Sequence, residues 1–131
     1  MSITEDGRAG EVWAREWLLG HGYEVILQAD WIARSPAGLV LVEVKHQERF
    51  EPPPFFGHGL PPWQVKARLA FEAETGVRAL LLVRDKATSE VFYQWLAELE
   101  RGPKYLTSGS SRRVIYPLDS FHRATCESGA A

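Results

Sequence analysis

The segment Leu39-Val40-Leu41-Val42-Glu43-Val44-Lys45 is an apolar run that ends in a charged pair. Its valines recur at every second position, and successive side chains of a strand point to opposite faces. We therefore predict a strand in which Val40, Val42 and Val44 enter a core while Glu43 and Lys45 project from the other face. One face of this strand is expected to pack in the core, and the other to carry the ionisable groups.

A turn signal upstream brings a second carboxylate toward this strand. Ser35-Pro36-Ala37-Gly38 is typical of a turn, and it folds the segment Trp31–Arg34 back onto the apolar run as a hairpin. Asp30 then lies near Glu43 or Lys45. Two adjacent carboxylates repel each other unless a hard cation such as Mg²⁺ or Mn²⁺ lies between them. Lys45 is placed to orient or deprotonate water, or to stabilise charge on a phosphate.

These residues carry a resemblance to a known family. Asp30, followed by Glu43-Val44-Lys45 at the end of an apolar strand, resembles the core motif of the PD-(D/E)xK nuclease superfamily, which has the restriction-endonuclease-like fold. The segment Gly7-Arg8-Ala9-Gly10-Glu11 and the later Gly22-Tyr23-Glu24-Val25 look like the opening of archaeal-type Holliday junction resolvases. The resemblance covers about Gly7 to Val83. It implies a divalent-metal nuclease.

The resemblance also implies further site residues. In the junction resolvases a glutamate of the first helix completes the metal site, which carries over to Glu11. Many members place an active-site glutamine or lysine on the helix at Pro62–Lys66, which implies Gln64 and, with it, Lys66. The backbone carbonyl of Val44 is an additional candidate metal ligand. The metal set is therefore Asp30, Glu43, Val44 and Glu11, and the catalytic set is Asp30, Glu43, Lys45, Glu11 and Gln64.

The hydrophobic periodicity predicts an α/β domain with the element order αβββαβ. The resemblance implies that this is a restriction-endonuclease-like core, in which helices flank a central mixed sheet. Further strands follow toward the C-terminus. The expected elements are a helix over residues 6–20, strands at Tyr23–Leu27, Trp31–Arg34 and Leu39–Lys45, a helix at Pro62–Thr75, and strands at Val77–Arg84 and Val114–Leu118. Residues 1–122 are expected to form one domain, and residues 123–131 a disordered tail.

Composition bounds the class of protein. The 131 residues fit one domain with a core of its own. Cys126 is the single cysteine, which excludes an internal disulfide framework, and no signal peptide or long apolar run is present, so we expect a cytoplasmic protein without a membrane partner. The formal net charge of −2 is not the basic excess usual for a nucleic-acid partner, so a DNA surface has to arise from local clustering of lysine and arginine.

The loop Phe50–Trp63 contains three consecutive prolines, Pro52-Pro53-Pro54, followed directly by two phenylalanines, Phe55 and Phe56. We interpret it as a wall or lid facing the substrate; the alternative is that Phe55 and Phe56 pack on the domain surface or at a dimer interface. His46 and His58 lack the partner spacing of a zinc site, which favours ordinary satisfied or exposed histidines.

The sequence as a whole predicts a Mg²⁺- or Mn²⁺-dependent DNA endonuclease that hydrolyses phosphodiester bonds, acts on branched DNA as a Holliday junction resolvase or repair enzyme, and forms a homodimer. Two alternatives remain open. One is a sequence-specific, restriction-type nuclease. The other is a non-catalytic member of the fold that binds nucleic acid or protein.

Overall fold

The computed structural model describes the backbone of residues 5–22, 24–27 and 32–124 and the side chains of residues 12–22 and 32–124. Its elements follow the chain as α1 (Glu5–Gly20), β1 (Glu24–Leu27), β2 (Ile32–Ser35), β3 (Gly38–Gln47), β4 (Gly57–Leu60), α2 (Pro62–Thr75), β5 (Arg78–Asp85), β6 (Val91–Trp95), α3 (Leu96–Arg101), β7 (Tyr105–Leu106), β8 (Val114–Pro117), a 3₁₀ turn (Leu118–Ser120) and β9 (His122–Ala124). None of the helices in this part of the chain combines the length and apolar character needed to cross a bilayer.

The main sheet has six strands in the order β1-β2-β3-β5-β6-β9. Strands β3 and β5 are parallel and are joined by the crossover helix α2, while the other neighbouring pairs are antiparallel. The turn between β2 and β3 is where the sequence predicts it, with Ser35 opposite Gly38. The predicted αβββαβ order and the mixed sheet flanked by helices are confirmed.

Each face of this sheet packs against a different helix. Ala14 and Leu18 of α1 lie in a buried cluster with Val40 and Val42 of β3. The opposite cluster contains Val65 of α2 with alternate residues of β5, Ala79, Leu81 and Val83. Because strand side chains alternate, the β3 residues between the valines point toward the α2 face. Glu43 and Lys45 are therefore on the side covered by α2.

The segment Phe50–Trp63, expected to be a loop throughout, contains strand β4. This strand pairs with β8 in a separate three-stranded sheet, β4-β8-β7, and all four of its residues are buried. Gly57-His58-Gly59-Leu60 has no alternating apolar pattern, so its strand character depends on the pairing with β8 and could not be inferred from periodicity. Phe55 is half-buried and Phe56 is exposed, beside the turn that follows β8.

The C-terminal boundary also differs from the prediction. His122–Ala124 forms β9 and pairs with β6, so the folded domain continues to Ala124 and includes Arg123 and Ala124, which were assigned to the tail. Arg123 contributes to this pairing through an ion pair with Glu90, at 3.2 Å. A three-residue edge strand is too short to leave a periodic signal. Residues 125–131 lie outside the described part of the chain.

Close packing of β4 on β8 gives the first testable prediction. A Cβ at Gly59 would lie 1.7 Å from the carbonyl oxygen of Val114, whereas a Cβ at Gly102 would meet its nearest atom at 3.7 Å. Gly59→Ala should lower the free energy of unfolding by about 3 kcal/mol, at the upper end for overpacking. Gly102→Ala is the matched control and should unfold near the wild-type denaturant midpoint. Equal midpoints for both variants would contradict this account of the β4–β8 contact.

Candidate functional site

Two side chains of β3 contact α2 across the face of the sheet. The Lys45 Nζ donates a hydrogen bond to the Gln64 Oε1 at 2.7 Å. One turn further along the helix, the Arg68 Nε donates to the Glu43 Oε1 at 3.0 Å. The structure thus brings together three of the predicted site residues, Glu43, Lys45 and Gln64, and adds Arg68.

Local sequence explains why α2 presents these groups. Pro62 occupies the first turn of the helix, where its missing N–H removes no hydrogen bond, and Gly76 ends the helix in the left-handed conformation at φ 75°. Gln64 and Arg68 are four residues apart and share a helix face. Val65 is buried in the core and holds that face in place. Gln64 and Arg68 are therefore spaced to reach Lys45 and Glu43, which are two residues apart on β3.

The environment of the site favours a lysine that loses its proton more readily than usual. Burial lowers the pKa of Lys45; the Glu43 carboxylate raises it and the Arg68 guanidinium lowers it, with a net downward shift. Glu43 and Arg68 retain only 14% and 26% of their side-chain exposure, so their ion pair is less screened than a surface pair. A lysine of lowered pKa beside a carboxylate is a common feature of catalytic sites.

The other predicted site residues are distributed differently. Asp30 lies outside the described residues, although Ile32, two residues after it, pairs with Leu41, two residues before Glu43. Glu11 belongs to α1, whose described core residues pack on the opposite face of the sheet, and its side chain is not described. The Val44 side chain packs against that same α1-side cluster. The roles of Asp30, Glu11 and the Val44 carbonyl stay predictions.

The donor set fits a hard divalent cation in part. The Glu43 carboxylate and the Val44 carbonyl are the oxygen donors that Mg²⁺ prefers. Within the side chains that the structure describes, no three histidines, cysteines or acidic residues come close enough to hold a metal together. A metal at this site would therefore need at least one ligand outside the described side chains in addition to Glu43, and Asp30 and Glu11 are the predicted ones.

A second polar cluster, not predicted from the sequence, lies at the end of the same strands. Asp85 ends β5 and is fully buried; its Oδ2 accepts hydrogen bonds from the His58 Nε2 and the Arg49 Nε, each at 2.9 Å. Its Oδ1 accepts the backbone N–H of Ala87 at 2.8 Å and of Thr88 at 3.2 Å. His58 is fully buried, and its two ring nitrogens lie within hydrogen-bond distance of Gln47 and Asp85.

The cluster explains how a carboxylate stays ionised inside the protein. Burial acts to raise the pKa of Asp85, but hydrogen bonds from His58, the Ala87 N–H and Arg49 outweigh it and hold that pKa below its usual range. Glu90 adds a second carboxylate 3.9 Å from Arg49. The charges at this end of the sheet are therefore compensated within the fold.

Arg68 was not identified from the sequence as part of the site, nor was Gln47, whose side-chain amide contacts the Gly59 backbone from the same face of β3. Arg68 follows Gln64 by four positions, so helical spacing alone places both on one face. Gln47 follows Lys45 by two positions and faces the same way on β3. The signal in each case is periodicity measured from a residue that was already identified. His58 and Asp85 offer no such signal because their contact depends on long-range pairing.

Comparison with known proteins supports the fold. The chain is similar in structure to Archaeoglobus fulgidus Hjc, a Holliday junction resolvase from an archaeal hyperthermophile, with a TM-score of 0.63, 14% sequence identity and coverage of 95% of each chain. No protein-family model and no curated protein matches the sequence. At this identity the likeness shows a shared fold.

The buried Asp85 carboxylate gives the second prediction. Because its pKa is lowered in the folded state, its stabilisation is present above the unfolded value near 4 and is lost as the pH falls through the folded value. Asp85→Asn should reduce the free energy of unfolding at pH 7 by about 3–5 kcal/mol, since it breaks the ion pair of this buried carboxylate with Arg49 and weakens its hydrogen bond with His58. Below pH 4, the free energy of unfolding of the variant should fall less steeply with decreasing pH than that of the wild type.

Denaturant titrations between pH 2.5 and 8 measure this effect. Asp119→Asn, at an exposed carboxylate, is the control and should reproduce the wild-type curve. An Asp85→Asn protein whose acid-induced destabilisation parallels that of the wild type would contradict the assignment.

Proposed function

We propose that this protein is a divalent-metal-dependent DNA endonuclease. The observation that carries the proposal is the Lys45–Gln64 hydrogen bond beside the Glu43 carboxylate, in a fold shared with a Holliday junction resolvase. The combination of a partly buried lysine and a carboxylate on one strand face suits phosphodiester hydrolysis, in which a water must be oriented and phosphate charge stabilised.

In this proposal Asp30 and Glu43 hold Mg²⁺ or Mn²⁺, with the Val44 carbonyl and Glu11 as further ligands. The pairing of Ile32 with Leu41 supports Asp30 as the second carboxylate, because both strand segments lead from that pair toward the two acids. When bound, the metal ion neutralises phosphate charge and makes water acidic enough to attack phosphorus at neutral pH.

Gln64 and Arg68 have separate roles in this proposal. Gln64 fixes the Lys45 Nζ by accepting a hydrogen bond from it, so that another N–H of the ammonium can bind an attacking water or a phosphate oxygen. Arg68 holds the Glu43 carboxylate in one orientation through its Nε. Its guanidinium also supplies local positive charge where a phosphate would approach, in a chain whose net charge is −2.

We propose branched DNA as the substrate and a homodimer as the active form. One Asp30/Glu43/Lys45 set cuts one strand, so paired incisions across a junction follow from two copies related by a two-fold axis. Trp63, at the start of α2 beside Gln64, is 64% exposed and offers a flat ring to an unpaired base, which a junction supplies more readily than a continuous duplex.

The third prediction tests catalysis. Lys45→Met and Glu43→Gln should each reduce Mg²⁺-dependent cleavage at least about 100-fold, because each removes a group that acts on the reacting phosphate or its metal. Circular dichroism should remain native. Arg101→Ala, at a side chain of α3 that is 75% exposed, is the control and should cleave at the wild-type rate. Wild-type cleavage by Lys45→Met, or wild-type activity in chelator, would reject the proposal.

The fourth prediction concerns the substrate and the oligomer. The protein should bind a four-way junction more tightly than a linear duplex of the same sequence. Both affinities are measured at the same salt concentration, because phosphate contacts vary steeply with ionic strength. Light scattering should give twice the mass of one chain. Equal binding and cleavage of both DNAs would reject the junction specificity, and incision at a fixed sequence would favour the restriction-type alternative.

A further inference from the structure

Gln47 makes a third contact between β3 and the segment that leads into α2. Its Nε2 donates to the carbonyl oxygen of Gly59 and its Oε1 accepts the Gly59 N–H, both at 3.1 Å. These two bonds fix which way the Gln47 amide points, because a flipped amide would oppose donor to donor and acceptor to acceptor. Glu43, Lys45 and Gln47 thus form three successive anchors from one strand face.

His58 also contacts the Gln47 amide. Its Nδ1 lies 3.0 Å from the Gln47 Oε1, and its Nε2 lies 2.9 Å from the Asp85 Oδ2. Both oxygens only accept hydrogen bonds, so a proton on each ring nitrogen satisfies both contacts. Burial lowers the pKa of His58 most, Asp85 raises it, and Arg49 and Arg113 lower it, with a net downward shift. A neutral ring donates to one of the two oxygens and the imidazolium to both, so the position of the ring between Gln47 and Asp85 is what links them.

The contacts of Gly59 determine where α2 begins. Gly59 pairs with Ile115 of β8 on one side, while Gln47 holds its N–H and carbonyl on the other. The fully buried Leu60 follows, and the helix starts at Pro62. Gln64 is only five residues after Gly59, with two prolines between them that limit the backbone. A shift of Gly59 would therefore also move the Gln64 amide, which accepts the hydrogen bond from Lys45.

We propose that His58 is a positioning residue for the Lys45–Gln64 pair and that it acts through the Gln47 amide and Gly59. The consequence for cleavage rests on the function proposed above, whereas the effect on the Lys45–Gln64 hydrogen bond does not. The alternative is that His58 only neutralises the buried Asp85 carboxylate and has no effect on the site.

Two substitutions separate these roles because amide nitrogens can replace either ring nitrogen. In His58→Asn the side-chain nitrogen is placed like Nδ1 and can still donate to Gln47, but the contact with Asp85 is lost. In His58→Gln the nitrogen reaches the position of Nε2 and can still donate to Asp85, but the contact with Gln47 is lost. A positioning role predicts that His58→Asn retains the site and His58→Gln does not.

The direct measurement is the NMR signal of the Gln64 side-chain amide, which reports the hydrogen bond that its Oε1 accepts from the Lys45 Nζ. Lys45→Met gives the reference signal for a broken bond. His58→Gln should move the Gln64 amide signal toward that reference, whereas His58→Asn should leave it at the wild-type position. In cleavage assays, His58→Gln should lower kcat by about 10-fold to 100-fold, with KM little affected, as is typical when a supporting hydrogen bond is removed.

The proposal is overturned if the Gln64 amide signal stays at its wild-type position in His58→Gln, or if it moves only in His58→Asn. Thermal melts establish that each variant is folded. If His58→Gln does not fold, Gln47→Met supplies the test, since it leaves the His58–Asp85 pair and removes the bonds to Gly59. A wild-type Gln64 signal in Gln47→Met would also overturn the proposal. An inactive wild-type protein would reject only the nuclease proposal, because the NMR measurement uses no DNA.

Discussion

The parallel pairing of β3 with β5 determines the position of every polar group at the candidate site. A parallel pair needs a crossover, and α2 supplies it on the face toward which Glu43 and Lys45 point. In this register Glu43, Lys45 and Gln47 lie opposite Leu81, Val83 and Asp85. The polar edge of β3 therefore begins against the apolar part of β5 and ends beside its one buried acid, which places the His58 network directly after the lysine.

The protein keeps a group of charges where an apolar core would be simpler. Replacing a buried ion pair by apolar side chains is often neutral or stabilising, so the Asp85–His58–Arg49 cluster is weak evidence for stability alone. Its position gives it another use. It joins the end of β5, the strand β4 and the tip of β3, three segments far apart in sequence, and it does so through bonds with strict donor and acceptor requirements. Such bonds specify one arrangement of β4 and hence one start for α2.

The chemistry of the site follows from partial burial. Lys45 is enclosed enough to lower its pKa, yet its hydrogen bond to Gln64 and the charge of the nearby Glu43 carboxylate keep its surroundings polar. The Arg68–Glu43 pair is shielded in the same way. A site of this kind stays ordered before substrate arrives, so less free energy is lost to reorganisation when a phosphate binds.

The sequence by itself determined the mixed α/β core, the hairpin at Ser35–Gly38 and the full extent of α2, because alternation, turn residues and helix ends are local signals. It also predicted that Glu43 and Lys45 share a face. Only the tertiary structure decided that α2 covers that face and α1 the other, and that Arg68 and Gln64 are the partners. Strand β4 and the burial of His58 against Asp85 likewise depend on pairing between distant segments, which no local pattern encodes, since a Gly-His-Gly-Leu run becomes a strand only when β8 supplies its hydrogen bonds.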